Sequence, residues 1–296
     1  MRAFLFRLQA AALMAAASLW AQAEPTPHFP VGPQLARQWT MPENRSTVLE
    51  ALNTERQRHG LGPLRMQEQL QEAAQSHADY LAHHGLAGHG QSAGLAGYTG
   101  ARPLQRARAA GYQVAGATEL AELFVVGLAD VPASLEQLLS GPYHRHHLLW
   151  ASATEVGVGL SEQPGLVLSL GAPRAAAKAS PDWVLWPTPD ARDVPPLACC
   201  ERPRPAGLDE FGTPVSVQAP PGVRLSVQQF QLLDAEGRTV PTRLLHADSD
   251  PHLASAVHVA YLLPLQALQG QHRYRVELRA QAGSRSLQRH WFFETR

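Results

Sequence analysis

The 296-residue chain has few of the residues on which several classes of protein depend. Lys178 is the one lysine in the sequence, which disfavours phosphate loops of the Walker type and Schiff-base chemistry elsewhere in the chain. Aromatic residues make up 7% of the chain, and its 25 basic residues are balanced by 25 acidic ones. A near-neutral charge gives no electrostatic reason to expect nucleic acid or an anionic membrane surface as a partner.

Cysteine is limited to the adjacent pair Cys199 and Cys200, so the chain cannot form the disulfide framework that is common in small exported proteins. We interpret the pair as two partly buried thiols in a loop, with an intermolecular bridge and a vicinal disulfide as alternatives. The sequence contains no HExxH helix, GxSxG elbow or glycine-rich phosphate loop. These absences disfavour zinc peptidases of the HExxH type and nucleophile-elbow hydrolases.

Long apolar runs are absent after the N-terminus, where the pattern is typical of a secretory signal. Arg2 and Arg7 flank the start of an apolar run from Leu8 to Trp20, and Ala21-Gln-Ala23 has the small-residue pattern of a cleavage site. We expect cleavage near Ala23 and a periplasmic or secreted protein. No later run approaches the ~20 apolar residues that a bilayer span requires, so no transmembrane span is expected after cleavage.

Composition and periodicity divide the rest of the chain. Prolines dominate its start, helical spacing begins at Ser46, and strand patterns with Gly and Pro turns dominate from about Asp182. The expected fold class is α+β, a mixed domain followed by a small all-β sandwich. The predicted segments are a signal peptide (1–23), a proline-rich leader (24–45), the mixed domain (46–173), a linker (174–181) and the β domain (182–296).

Several helices and strands can be predicted within these segments. In the mixed domain, one helix begins at Ser46 and is stopped by Gly60, and a second runs from Met66 to His84 and is closed by Gly85. Strand-like runs over 155–160 and 166–170 flank a Pro-Gly turn. In the β domain, two hairpins are predicted, joining 225–233 with 238–245 and 273–280 with 285–294.

Histidine is the residue type that points to a functional site. Eight of the 14 histidines lie between His59 and His147, most densely in His144-Arg-His-His147. Imidazole is the commonest metal ligand and the natural acid or base near neutral pH, and a site would need two or three of these rings together with a carboxylate. His77 lies on the apolar face of the second helix and is expected to be a core histidine. Arg145 is expected to form a structural ion pair with a carboxylate.

A set of motifs in this region resembles the bacterial CAP superfamily of SCP-like extracellular proteins. The family has Asn-x-x-Arg, then Gly-Leu-x-Pro-Leu, and later Ser-Pro-x-His-Arg-x-Asn-Ile-Leu. The corresponding stretches, in order, are Asn53-Thr-Glu-Arg56, Gly60-Leu-Gly-Pro-Leu64, Leu70 to Ala78, Gly85 to Gly90 with His89, Gly141-Pro-Tyr-His-Arg-His-His-Leu-Leu149 and Glu155-Val-Gly-Val-Gly159. The resemblance implies an α-β-α sandwich for this domain.

The resemblance also implies a cleft lined by two histidines and two glutamates, which holds a divalent metal such as zinc in some members. His89 matches the first histidine and His144 the second. Glu119 falls at the first glutamate position, with Glu122 as the alternative, whereas Gly141 stands where the second glutamate is expected. The candidate cleft and metal set is therefore His89, Glu119 and His144.

For function, the resemblance implies an exported protein that binds a ligand or an envelope or extracellular protein partner. The missing second glutamate and the lack of a recognised nucleophile favour non-enzymatic binding of a lipid, a cell-wall component or a protein. The alternative is a metal-dependent hydrolase of peptide, ester or cell-wall substrates, which would use His89, Glu119 and His144 with a metal-activated water.

The C-terminal segment resembles, more loosely, the Ig-like modules that follow CAP domains in some bacterial exported proteins. Its signs are Asp193-Val-Pro195, Leu263-Pro-Leu265, the hairpin that begins near Tyr274 and the closing Trp291-Phe-Phe-Glu-Thr295. Such modules are usually spacers or adhesive surfaces, and a fold alone assigns no function. Cys199 and Cys200 lie in this segment and are expected to take no part in the cleft.

Overall fold

A computed structural model describes residues 41–114, 120–126, 130–161, 165–173 and 183–296. The predicted signal peptide, most of the predicted leader, the linker and Glu119 lie outside the described residues. Within these ranges, no helix combines the length and the apolar character needed to cross a bilayer.

The first part of the chain alternates helices with strands. Its elements are α1 (Met41–Arg58), β1 (Arg65–Met66), α2 (Glu68–His84), α3 (Pro103–Ala109), β2 (Leu120–Val126), α4 (Val131–Ser140), α5 (Pro142–Leu148), β3 (Glu155–Ser161) and β4 (Gly165–Gly171). Helix α1 begins at Met41, earlier than the predicted start at Ser46, because Pro42 is tolerated in the first turn of a helix, where its missing N–H has no intrahelical partner to lose. Helix α2 ends at Gly85, as predicted, with that glycine in the left-handed conformation.

Four strands form a sheet between two layers of helices. The strand order is β1-β3-β4-β2, and the predicted pairing of 155–160 with 166–170 is confirmed by the antiparallel β3–β4 pair. Val48 and Leu52 of α1, together with Leu135 of α4, pack on one face of the sheet. Ala74 and Ala78 of α2 pack on the other face, against Val167. The arrangement is the three-layer α-β-α sandwich that the resemblance implies.

Two glycines in β3 allow α2 to lie directly on the sheet. A Cβ at Gly157 would lie 2.0 Å from the backbone carbon of Leu70, and one at Gly159 would lie 2.1 Å from the carbonyl oxygen of Ala74. Side chains of α2 also form hydrogen bonds with backbone groups at the edge of β3. Gln75 donates to the Leu160 carbonyl at 2.7 Å and accepts from the Leu160 N–H at 3.1 Å. Helix α2 is thus held in one register over the sheet.

The Asn-x-x-Arg motif is structural in this chain. Arg56 is buried, and its guanidinium donates to the carbonyls of Gly62, Leu148, Trp150 and Ala153 at 2.9 to 3.1 Å. The Asn53 side chain accepts from the Leu64 N–H at 2.7 Å and donates to the Leu64 carbonyl at 3.0 Å. The motif therefore connects α1 to the segment that precedes β1 and to the segment that precedes β3.

The C-terminal part is built from two four-stranded sheets and a two-stranded one, with the orders β5-β9-β12-β11, β10-β13-β14-β6 and β7-β8. Its strands are β5 (Val184–Trp186), β6 (Ala191–Val194), β7 (Leu197–Cys199), β8 (Glu210–Gly212), β9 (Val215–Gln218), β10 (Leu225–Leu233), β11 (Thr242–His246), β12 (Val259–Pro264), β13 (Arg273–Ala282) and β14 (Arg285–Thr295). Val217 and Leu262 of one four-stranded sheet share a hydrophobic core with Val276 and Trp291 of the other.

One of the two predicted hairpins forms. Strands β13 and β14 pair along their length, as predicted for 273–280 and 285–294. The hairpin predicted for 225–233 and 238–245 is wrong, because β10 pairs with β13 while β11 pairs with β12 of the other sheet. The physical reason is Pro241, which has no N–H to donate to a ladder. The pairing of β10 with the following chain ends at a single Leu233–Thr239 bridge.

Cys199 and Cys200 form a disulfide bond with each other. The interpretation as two thiols is therefore wrong, and the vicinal alternative is the one observed. Cys200 adopts φ 69°, in the left-handed region that side-chain-bearing residues rarely occupy. The Cys199 carbonyl accepts a hydrogen bond from Gln137 of α4 at 2.8 Å, so the segment that carries the disulfide lies against the first part of the chain.

The two parts of the chain share further buried contacts through α5. Tyr143 donates its hydroxyl proton to Asp250 at 2.7 Å. Arg145 donates to the carbonyls of Leu139 and Pro214, at 2.5 and 2.6 Å, and its guanidinium stacks 3.6 Å from the ring centre of Trp186. Among the described residues, Arg145 has no carboxylate at ion-pair distance, so the predicted pair is not observed there; its role is structural, with backbone carbonyls and an aromatic face in place of the carboxylate.

Candidate functional site

The first half of the site is a histidine beside a buried carboxylate. His89 lies in the loop between α2 and α3, and its Nδ1 is 3.1 Å from Glu122 Oε1. The Glu122 side chain is 2% exposed and the His89 side chain 40%. A carboxylate cannot donate, so the contact assigns the Nδ1 proton to His89, and in the neutral ring Nε2 is then the acceptor.

Glu122 is held in place by a second element. Arg106 of α3 donates to both oxygens of Glu122, at 2.7 and 2.8 Å. Burial would raise the pKa of the Glu122 carboxyl, but the hydrogen bond from His89 and the charges of His77 and Arg106 hold that pKa below its usual value. Glu122 is therefore an ionised carboxylate whose charge is neutralised by Arg106.

Strand alternation explains why Glu122 and not a neighbour reaches His89. Ala121 and Leu123 point into the core under α1 and α4, so the side chains of Glu122 and Phe124 lie on the face of the sheet that α2 covers. On that face, Glu122 Oε1 is also 3.6 Å from Nε2 of His77.

His77 is a core histidine, as predicted. Its side chain is fully buried, its Nε2 lies 2.9 Å from the Gly88 carbonyl, and its Nδ1 lies 3.2 Å from the Gln91 amide nitrogen. Burial lowers the pKa of the His77 imidazole to about 4, against the opposing charge of Glu122. The ring is neutral at physiological pH and supports the loop that carries His89.

The second half of the site again joins a histidine to a buried carboxylate. His144 of α5 places its Nδ1 2.8 Å from Oε1 of Glu201, with side-chain exposures of 16% and 1% respectively. The ring nitrogen and the oxygen are close but poorly aligned, so this is a short polar contact and not a well-formed hydrogen bond. Glu201 comes from the segment directly after the disulfide, outside the predicted mixed domain.

Phe124 lies between the two histidines. Its ring centre is 4.8 Å from that of His89 and 6.3 Å from that of His144, and both imidazoles meet it edge to face. We call the set His89, Glu122, Phe124, His144 and Glu201 the candidate cleft. Its two imidazole–carboxylate pairs stand on either side of one partly buried aromatic ring.

Burial keeps the two histidines that follow Arg145 neutral, and the charge of Arg145 is offset within the protein. Burial lowers the pKa of His147 to about 4, assisted by the charges of His144 and His89, and burial also lowers the pKa of His146 well below its usual value. Burial also lowers the pKa of Arg145 to about 9, while the charges of Tyr261, Glu201 and Glu55 raise it. Arg145 therefore stays charged at neutral pH and offsets the charge of Glu201.

The predicted metal set is only partly described. Among the described residues, no group of three or more His, Cys, Asp or Glu side chains is arranged to hold a metal ion. Glu122, the alternative to Glu119, already accepts from Arg106 and His89 through its oxygens, so it does not fit as a ligand. Glu119 lies outside the described residues, and the metal set His89, Glu119 and His144 stays a prediction.

Sequence reasoning missed three residues of the site, Arg106, Phe124 and Glu201. Arg106 lies on α3, and nothing in the sequence around it indicates a carboxylate partner. Glu201 lies in a proline-rich stretch after the cysteines, and no local motif connects it to His144. Cys199 and Cys200 are not themselves among the cleft residues, but Glu201, which follows Cys200 directly, contacts His144.

Residues 49–168 match the family model described as CAP, the cysteine-rich secretory protein family. A CAP domain therefore occupies this part of the chain, which contains His89, Glu122, Phe124 and His144. Glu201 lies beyond the matched residues. No curated protein matches the chain.

Among solved structures, the chain is similar to three bacterial proteins. An extracellular protein containing an SCP domain from Bacillus anthracis is 19% identical, with a TM-score of 0.39, over 46% of this chain and 44% of that protein. An outer surface protein from Borrelia burgdorferi is 16% identical, with a TM-score of 0.38, over 47% of this chain and 100% of that protein. A cysteine-rich secretory protein from Staphylococcus aureus is 19% identical, with a TM-score of 0.35, over 46% of this chain and 42% of that protein.

Proposed function

From the CAP domain at residues 49–168, we propose that this is an exported, non-enzymatic protein that binds a ligand in the candidate cleft. The observation that carries the proposal is the pair of imidazoles, His89 and His144, each with a buried carboxylate at Nδ1 and with Phe124 between them. Such an arrangement offers two oriented hydrogen-bonding groups and an apolar surface, which are the features of a recognition site.

The charges around the cleft favour a neutral ligand. Arg106 offsets Glu122, Arg145 offsets Glu201, and burial keeps His77 and His147 unprotonated at neutral pH. Surroundings in which these charges are balanced do not concentrate anionic or cationic ligands by long-range attraction. Its ligand is instead held by hydrogen bonds to the imidazole Nε2 atoms and by contact with Phe124.

Of the ligand classes predicted from the sequence, a cell-wall glycan matches this chemistry best. Sugar hydroxyls donate hydrogen bonds to imidazole acceptors, and the apolar face of a sugar ring can pack on Phe124. Export to the periplasm or the cell exterior would bring the cleft to such a ligand. A lipid or a protein partner would use the aromatic ring but would leave the two paired histidines without a role.

The geometry gives less support to the metal-dependent hydrolase alternative. A hydrolase needs a carboxylate or imidazole free to accept a proton from water. Both oxygens of Glu122 accept from Arg106, and the Glu201 side chain is 1% exposed. Neither carboxylate is placed to act as that base, so a hydrolase would have to use Nε2 of His89 or His144, the same atoms that the proposed ligand uses.

The proposal is tested by titrating the full chain with soluble peptidoglycan disaccharides in a calorimeter. We expect saturable binding that weakens at least tenfold in a His89→Ala, His144→Ala double variant. Each lost hydrogen bond between the ligand and an imidazole is worth about 1 kcal/mol. The matched control is His83→Ala, an exposed histidine at the end of α2, which should bind like the parent.

Two results would overturn the proposal. One is binding to phospholipid vesicles and not to the glycan, which would indicate a lipid ligand. The other is turnover of glycan, peptide or ester substrates by the parent that disappears in the double variant, which would support the hydrolase. Metal analysis of the same two proteins tests the prediction of a divalent metal, which should be stoichiometric in the parent and lost in the variant.

We also propose that the C-terminal sheets are an Ig-like module. The support is the pair of four-stranded sheets around one core, with Trp291 and Phe293 of the closing strand inside it. The proposal is tested by an experimental structure of residues 182–296 within the full chain, and a strand order unlike an Ig fold would contradict it.

A further inference from the structure

Glu201 is a buried carboxylate that lacks the hydrogen bonds that usually offset the cost of burying a charge. Its side chain is 1% exposed, and among the described residues neither of its oxygens has a well-formed hydrogen bond. Buried carboxylates ordinarily collect several hydrogen bonds, because a desolvated charge is costly to leave unmatched. The nearest polar group is His144 Nδ1, at 2.8 Å. The contact with His144 is therefore the main polar interaction of the Glu201 side chain among the described residues.

The carboxylate of Glu201 occupies the space of a missing side chain. A Cβ built on Gly141 would lie 1.3 Å from Glu201 Oε2 and 2.5 Å from its carboxyl carbon. The backbone at Gly141 has φ −85° and ψ 137°, which any residue can adopt. Glycine at 141 is thus required by the approach of Glu201 and not by the backbone conformation.

The segment that carries Glu201 is anchored on both sides. Strand β7 pairs with β8, the Cys200 N–H donates to the Asp209 carbonyl at 3.2 Å, and the Cys199 carbonyl accepts from Gln137 of α4. The disulfide between Cys199 and Cys200 closes the turn immediately before Glu201. The carboxylate is therefore delivered to His144 by fixed backbone.

We infer that Glu201 is the positioning residue of His144, supplied to the CAP domain from the C-terminal part of the chain. At 2.8 Å, the imidazole nitrogen and the carboxylate oxygen can only face each other with a proton between them, so Glu201 keeps a proton on Nδ1 and, in the neutral ring, selects the Nδ1–H tautomer. His144 then presents Nε2 as an acceptor for a hydroxyl or amine donor of a ligand. The candidate cleft is complete only when both parts of the chain are present.

The other histidine of the cleft also has a carboxylate at its Nδ1. His89 has Glu122 at its Nδ1, and Glu122 is supplied by β2 within the CAP domain. His144 has no acidic partner within the described CAP domain, where Gly141 leaves a gap. Glu201 fills that gap from outside the domain.

The first test is the tautomer of His144, read from the ring ¹⁵N spectrum of the full chain at pH 7.5 and assigned with His144→Gln. We expect the Nδ1–H form in the parent, and a fall of its share by at least half in Glu201→Ala. If Glu201→Ala does not fold, Gly141→Ala serves instead, because its methyl group displaces the Glu201 carboxylate and should give the same change.

The second test moves the carboxylate to the CAP domain. In Gly141→Asp with Glu201→Ala, the new Cβ takes the place of Glu201 Oε2 and its carboxyl reaches the vacated space, so the Nδ1–H form should return. The matched control, Gly141→Ala with Glu201→Ala, has equal backbone changes but no charge and should not restore it. A purely structural role for Glu201 would change the unfolding midpoint and leave the tautomer unaltered.

The inference rests on the proposed function only for the effect of Glu201 on ligand binding. Glu201→Ala should weaken glycan binding about tenfold. An Nε2–H tautomer in the parent, or no change in the variants, overturns the inference whatever the glycan titration shows. The expected tautomer changes in a protein that binds no glycan would support the inference and overturn the proposed function, so the two failures are distinguishable.

Discussion

Single residues in this protein have charge states that the fold decides. His77 and His147 have the residue type of a metal ligand or general base, yet burial lowers the pKa of each to about 4. Arg56 and Arg145 are buried cations surrounded by carbonyl oxygens. At this scale a histidine count says little about chemistry, because the environment decides which rings can bind or titrate.

The buried His77 predicts a loss of stability in mild acid. In the folded protein its pKa is about 4, against an ordinary value of 6.5, so its contribution is fully present above pH 6.5. The contribution is lost as the pH falls toward 4, because only the unfolded chain takes up the proton easily, and the loss reaches about 3 kcal/mol. Urea unfolding at pH 7.5, 6 and 5 measures it.

The control for that prediction is His77→Gln, whose amide can still donate to the Gly88 carbonyl but does not titrate. Glu122, Arg106 and His89 face His77 and remain in both proteins, as do the other histidines. The difference between the two pH profiles therefore isolates His77. Parallel profiles would show that burial does not depress this pKa.

At the scale of elements, the contact between α2 and β3 determines how the loop with His89 is placed. The helix lies so close to the strand that Gly157 and Gly159 have no room for a side chain. Gln75 bonds both polar groups of Leu160 along the strand edge. Helix α2 carries His77 and leads directly into the loop with His89, so its seat on the sheet positions the first half of the cleft.

We predict that Gly159→Ala destabilises the protein by about 3 kcal/mol, because the added methyl group meets the Ala74 carbonyl and α2 must move away from the sheet. The matched control is Gly62→Ala, since a Cβ at Gly62 meets no atom within 4 Å and the backbone there is ordinary. Denaturant midpoints of the two variants measure the difference. Equal midpoints would contradict the close approach of α2.

At the scale of the whole molecule, the CAP domain and the C-terminal sheets share buried contacts. Arg145 reaches the Pro214 carbonyl and Trp186, Tyr143 reaches Asp250, and Glu201 reaches His144. Removing either part would leave buried polar groups unmatched, which costs more than the contacts themselves contribute.

We therefore predict that the full chain unfolds in a single cooperative transition. Tryptophan fluorescence and far-ultraviolet circular dichroism should give coincident denaturant curves, because loss of one part exposes the buried face of the other. A variant with Arg145→Ala should lower the midpoint and separate the two curves. Two separate transitions in the parent would indicate independent domains joined by a linker.

Sequence patterns predicted much of the fold where the signal is local. Helix α2 follows from an apolar face ended by Gly85, and β13 and β14 follow from alternation around a short turn. The failed hairpin between β10 and β11 shows the limit, because the partners of both strands are distant in sequence. The candidate cleft divides in the same way: His89 and His144 are found by motif, whereas Arg106 and Glu201 are not.

The sequence by itself predicted helices α1 and α2, the strand pairs β3–β4 and β13–β14, the two cleft histidines and the resemblance to the CAP family, since capping, periodicity and motif spacing act over a few residues. Only the tertiary structure decided which carboxylates meet those histidines, that Cys199 and Cys200 bond to each other, and that Arg145 binds carbonyls. Burial and side-chain contact depend on segments far apart in the chain. The space at Gly141 becomes meaningful only when Glu201 is seen to fill it.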